Sequence, residues 1–150
     1  MTRVIALDPG RSKCGLLLAD IATNTVVQGM VIPSAEVLDQ LRSWMVDAQG
    51  EDAQIAELVI GDGTSSTIWQ HQLPASLKVR VVDETGTTLR ARARYWQLWP
   101  ARGWKRLLPL GLRIPSGDLD AIAALVILEH YLGRSLQWPG PNPLKNAPSR

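Results

Sequence analysis

At 150 residues and 45% hydrophobic composition, the chain fits a single domain with an ordinary core and is too short for two independently folded lobes. No run approaches the roughly 18–20 uninterrupted apolar residues of a membrane helix, no secretory leader is evident, and the lone Cys14 excludes an internal disulfide and a cysteine-rich zinc site. The expected setting is cytoplasmic and reducing, and the net charge of +2 hides an uneven distribution.

In chain order, residues 3–7 are a short apolar run with β-branched members, closed by the turn Asp8-Pro9-Gly10. A second extended run begins at Leu16 and a third covers residues 25–32, so three strands in a meander are expected. Ser34 is placed as a helix N-cap, followed by Val37, Leu38, Leu41, Trp44 and Met45 at helical spacing. Residues 57–61 read as a buried strand ending in the polar turn Asp62-Gly63-Thr64-Ser65-Ser66. A short helix over 67–73 is stopped by Pro74, and residues 78–83 form another strand. Alanine and arginine make 89–95 a helix, with Thr87 or Thr88 as its cap. Residues 100–115 read as a loop. A strongly apolar helix begins at Asp118 and ends at Gly133. A single folded domain is drawn over 1–136, and the proline-rich tail 137–150 is expected to lack fixed structure.

This order implies an α/β fold, a mixed sheet with helices on its faces, in which functional groups gather at the carboxyl ends of strands. Asp8 closes the first strand, Glu84 follows the last, and Asp120 sits in the first turn of the apolar helix. Singly, each acid is a turn former or cap. Together, converging carboxylates repel and persist only where a cation or a raised pKa offsets that repulsion. An all-oxygen set suits Mg²⁺ or Mn²⁺, and two such ions can activate water and clamp a phosphate.

Between Thr85 and Gly117 there is no acidic residue, but there are Arg90, Arg92, Arg94, Arg102, Lys105, Arg106 and Arg113; the remainder of the chain is net −5. The block reads either as a solvated basic face or as the place where an anionic partner is met. Trp96, Trp99 and Trp104, interleaved with these cations, favour nucleic acid if they stack on bases, and are otherwise core. Arg90, Arg94, Arg102, Lys105 and Arg106 are the candidate phosphate contacts.

Val4-Ile5-Ala6-Leu7-Asp8-Pro9-Gly10, with Gly15, resembles the first-strand motif of the RuvC and YqgF families of ribonuclease H-like resolvases. Val81-Val82-Asp83-Glu84-Thr85-Gly86-Thr87-Thr88 is similar to the YqgF "DERLTT" segment, and residues 119–132 are similar to the YqgF C-terminal helix. The resemblance spans roughly residues 3–132 and implies a ribonuclease H-like fold with a mixed five-stranded sheet and helices on both faces. It also implies a metal-dependent endonuclease acting on structured RNA or branched DNA, as a Holliday-junction resolvase or a pre-16S ribosomal RNA processing nuclease. Asp8, Glu84 and Asp120 carry over as its catalytic and metal-holding acids, with Mg²⁺ or Mn²⁺ as cofactor, as either a monomer or a homodimer. The chain departs from the family at Thr85, where an arginine is usual, in the turn 61–66, and in the long basic segment 102–113. These departures leave a binder without turnover as the alternative. Asp118 and Asp120 are two residues apart, about 200° around a helix, so only Asp120 is expected to face the site, with Asp118 as cap. His130 lies about 15 Å beyond Asp120 along the helix, too far to join it. An ATP-binding actin-like fold also starts with such an Asp-x-Gly, but needs a second lobe.

Overall fold

A computed structural model describes residues 2–63, 65–109, 112, 113, 115 and 118–144. Five strands, β1 (Thr2–Asp8), β2 (Lys13–Asp20), β3 (Thr25–Pro33), β4 (Gln54–Gly61) and β5 (Val79–Val82), form one sheet in the order β3-β2-β1-β4-β5. β1 pairs antiparallel with β2, and β2 with β3; β4 is parallel to both β1 and β5. The helices are α1 (Val37–Gly50), α2 (Ser66–Gln72), α3 (Thr87–Leu98) and α4 (Asp120–Leu132). A three-stranded antiparallel meander extended by two parallel strands, with helices on both faces, is the ribonuclease H-like fold.

The two faces of β1 explain its continuous apolar run. Ile5 and Leu7 pack under α1 and α2 with Leu41, Trp44 and Trp69, whereas Val4 and Ala6 point to α4 with Leu125 and Leu128. A central strand covered on both sides has no polar face to show. α4 is apolar almost all round for the same reason. Residues 121–128 are all buried, because α4 is wedged between the sheet and α3, where Ala91 and Tyr95 meet Ile122, Ala123 and Val126. Gly15 sets the depth of that wedge: a Cβ there would overlap the backbone oxygen of Asp120, so only glycine lets α4 start this close to β2. Among the described residues no helix is long and apolar enough to cross a membrane.

Several expectations are corrected. Ser34 does not cap α1. It opens a 3-10 turn (Ser34–Glu36), and its hydroxyl donates to the Gly10 carbonyl at 3.1 Å, tying the turn to the end of β1. Neither Thr87 nor Thr88 caps α3; the preceding Gly86 does so in the left-handed region (φ 73°), which glycine enters without a Cβ penalty. Asp118 lies outside α4, whose N-cap is Leu119, and pairs instead with Lys13. The expected loop over 100–115 contains a 3-10 turn, Gly103–Leu107.

The tail beyond 136 is not without structure as far as Leu144. Gln137 exchanges backbone hydrogen bonds with the start of β3, accepting from Val26 at 2.7 Å and donating to Asn24 at 2.8 Å. Trp138 lies over Gly29, where any Cβ would overlap its indole. Asn142 is buried and donates to the Tyr95 hydroxyl at 2.9 Å. Composition saw prolines and few aliphatics; the aromatic contacts supply what was missing. The expectation for residues 145–150 lies outside the described residues.

Candidate functional site: a carboxylate cleft and a basic loop

Three elements bring one carboxylate each to a cleft of about 180 Å³: Asp8 from the end of β1, Glu84 from two residues past β5, and Asp120 from the first turn of α4. Thr87, Thr88, Ala91, Leu119 and Ala123 complete the lining. The parallel pairing of β1, β4 and β5 points their carboxyl ends the same way, which is why residues 76 positions apart meet.

All three acids are raised above their ordinary values, in each case first by burial. Burial, then the charges of Glu84 and Asp120, then a hydrogen bond to Glu84 push the Asp8 carboxyl up to about 7. Glu84 is also raised, by burial and by the charge of Asp62, although hydrogen bonds from Asp8 and from the Gly63 N–H hold it partly down. Asp120 is raised by burial and by Asp118, with the Lys13 ammonium acting against both. Asp8 therefore holds its proton below about pH 7, where it can donate a hydrogen bond to Glu84.

The turn after β4 serves Glu84. A Cβ on Gly61 or on Gly63 would overlap one of the two Glu84 carboxylate oxygens. Asp62 accepts the Glu84 N–H at 3.0 Å, and its own N–H donates to the Val82 carbonyl at 2.9 Å. The small polar turn thus seats a carboxylate, a role the sequence did not reveal because Glu84 is 21 residues downstream. Lys13 is the other residue missed: it bridges to Asp118 and lowers Asp120 from the strand next to β1. The signal available for it was only a lysine near the first-strand motif.

The donor set is all oxygen and carries excess negative charge, which matches a hard divalent cation in kind. As the side chains stand, no group of three His, Cys, Asp or Glu among the described residues is arranged to hold a metal ion.

The basic block divides. Arg94 is engaged within the fold. Its guanidinium makes two 3.0 Å bonds to Glu129 and a 2.8 Å bond to the Leu136 carbonyl, and both side chains of the pair are mostly buried. Arg90 straps the turn after Glu84, donating to the Thr85 carbonyl at 3.2 Å and to the Thr87 hydroxyl at 3.4 Å. Arg113 fixes the loop through the Arg106 and Leu108 carbonyls. Arg102 and Arg106 are exposed and Lys105 is half-buried. The tryptophans divide as well. Trp96 and Trp99 pack on Tyr95 with ring centroids at 4.9 and 5.5 Å, and Trp138 continues the cluster at 5.5 Å from Trp99. Trp104 is 68% exposed. His71 and His130 are exposed and outside the cleft lining, and Cys14 is buried.

No protein-family model matches the chain, and no curated protein does. Among solved structures the chain is similar to an exopolyphosphatase from Cytophaga hutchinsonii, at 15% identity and a TM-score of 0.41. That match covers 65% of this chain and 39% of the other, so the chain spans about two fifths of the exopolyphosphatase. It is also similar to T. thermophilus RuvC, solved in complex with Holliday junction substrate, at 13% identity and a TM-score of 0.47 over 89% of this chain and 98% of that one. What makes the chain ribonuclease H-like is its own strand order and pairing directions.

Proposed function

We propose that this chain is a metal-dependent endonuclease of the YqgF type that hydrolyses phosphodiester bonds in structured nucleic acid, either a ribosomal RNA precursor or a four-way DNA junction. The observation that carries the reading is the convergence of Asp8, Glu84 and Asp120 on one cleft, where burial first and the neighbouring acids second lift the Asp8 carboxyl to about 7. Groups so perturbed in a cleft mark functional sites more often than structural ones. Mg²⁺ or Mn²⁺ bound by these three acids would supply a polarised phosphate and an activated water. The chain's own part is positional. Gly61, Asp62 and Gly63 hold Glu84 in place, and Gly15 sets the height of Asp120. Thr87 and Thr88 line the cleft beside the acids, and their hydroxyls are the neutral groups there that could meet a phosphate oxygen. Arg102, Lys105 and Arg106 are the cations left to follow the backbone, since Arg94 is internally paired. The setting proposed is cytoplasmic. A junction substrate calls for a two-fold homodimer, whereas trimming a precursor suits a monomer.

Cleavage of a four-way junction and a precursor RNA side by side with Mn²⁺, using Asp8→Asn as control, tests the proposal. Wild-type cleavage lost in Asp8→Asn supports it. Tight binding without cleavage of either substrate would instead favour a binder that has lost turnover. Thr85 in the position of the family's arginine is the observation behind that second reading.

A further inference from the structure

We infer that Trp104, with Leu107 beside it, is a stacking platform for unpaired nucleic-acid bases, so that the substrate includes a single-stranded or splayed segment. The inference rests on the nucleic-acid reading above and adds to it a substrate class and a residue.

Trp104 is 68% exposed and Leu107 is 88% exposed, in a protein whose other ring-cluster tryptophans are packed away. Both lie on the 3-10 turn Gly103–Leu107. Residues three apart eclipse on a 3-10 helix, so these two side chains share one row. Lys105 and Arg106 fill the other two rows, and the exposed Arg102 immediately precedes the turn. An apolar row flanked by cations is the result.

The turn is held in that posture from behind. Arg113 donates to the Leu108 carbonyl at 2.8 Å and to the Arg106 carbonyl at 2.7 Å, and its own carbonyl accepts from Trp96 Nε1 at 2.8 Å. Trp96 in turn belongs to the cluster with Tyr95. Trp104 is instead presented to solvent by a braced loop.

The charge selects the occupant. With no acidic residue between Thr85 and Gly117, the surface is suited to an anion. Flat apolar faces joined by a phosphate chain match an indole flanked by cations. A base inside a duplex offers its face only to its neighbours, so the platform selects bases that are unstacked. The anchor at Trp96 lies eight residues along α3 from Thr88 in the cleft, about 12 Å.

The test measures binding in EDTA, apart from cleavage, with labelled single-stranded oligonucleotide, fully paired duplex and anionic phospholipid vesicles. Wild type, Trp104→Ala and Trp104→Phe are compared. Expected is a loss of about 5- to 100-fold in single-strand affinity for Trp104→Ala, largely restored in Trp104→Phe, with duplex affinity within twofold and the salt slope unchanged. Equal single-strand affinity in wild type and Trp104→Ala overturns the inference. So does an equal loss on duplex, which would mean a general contact, or a Trp104 dependence seen only with vesicles. The nuclease reading fails separately. Wild type that binds single strands through Trp104 but never cleaves leaves the platform standing, whereas cleavage and binding both indifferent to Trp104 remove the platform and leave the nuclease.

Discussion

Replacing Asp8 with asparagine should make the metal-free protein more stable at alkaline pH while removing its proposed activity. The folded-state carboxyl is pushed up to about 7 from 3.8, so the folded chain holds that proton more tightly than the unfolded chain does. The contribution to stability is complete below the unfolded value and is lost as pH rises towards and through 7. A gap of roughly three pH units corresponds to at most about 4 kcal/mol, and water reaching the open cleft should reduce it to about 1–3 kcal/mol. Asparagine removes the titration while its amide still donates to Glu84. Urea unfolding of both proteins in EDTA at pH 4.5, 6 and 8 is the assay. The stability of Asp8→Asn relative to wild type should climb across that range by those few kcal/mol. Mn²⁺ should then reverse the order at pH 8, since a ligand at a hundred times its Kd stabilises by about 2.7 kcal/mol and the variant lacks one of the three acids. Parallel pH dependence in the two proteins would refute the electrostatic argument, and a wild type indifferent to Mn²⁺ would refute the metal.

Asp120→Asn should abolish cleavage, whereas Asp118→Asn should keep most of it and change stability by under about 0.5 kcal/mol, because the pair that Asp118 makes with Lys13 is exposed; equal losses in cleavage assays would place both acids in the site. Arg94→Met should destabilise by about 3 kcal/mol in urea unfolding, since it strands the mostly buried Glu129 carboxylate. Neutralising Arg102, Lys105 and Arg106 together should flatten the slope of log affinity against log salt by roughly two to three units, at about 0.7–0.9 per contact; an unchanged slope would make the loop ordinary surface.

The sheet and its helices were legible because each strand carries its own pattern, and the three acids were legible because each ends or begins an element. Cap positions were not. Ser34, Thr87 and Asp118 have the right chemistry for caps, but a tertiary partner or a left-handed glycine decided each case. Arg94 looked like its neighbours in the basic block because its partner, Glu129, is 35 residues away on another helix. The turn 61–63 looked merely altered, since nothing local shows that its glycines make room for Glu84. Propensity and spacing report neighbours along the chain, and these roles are set by neighbours across it.

The hydrogen bonds that Gln137 makes with the start of β3 also cover part of an outer strand. β3 is an outer strand, and an open outer strand is a template on which a second chain can add its backbone. Gln137 occupies the first such positions. Shortening the chain to residue 136, where composition would draw the boundary, strips that cover and bares the Trp99 ring. Such a truncation should precipitate or form oligomers on size-exclusion chromatography even where its melting temperature is little changed; a monomer as soluble as the full chain would show that the β3 edge needs no guard.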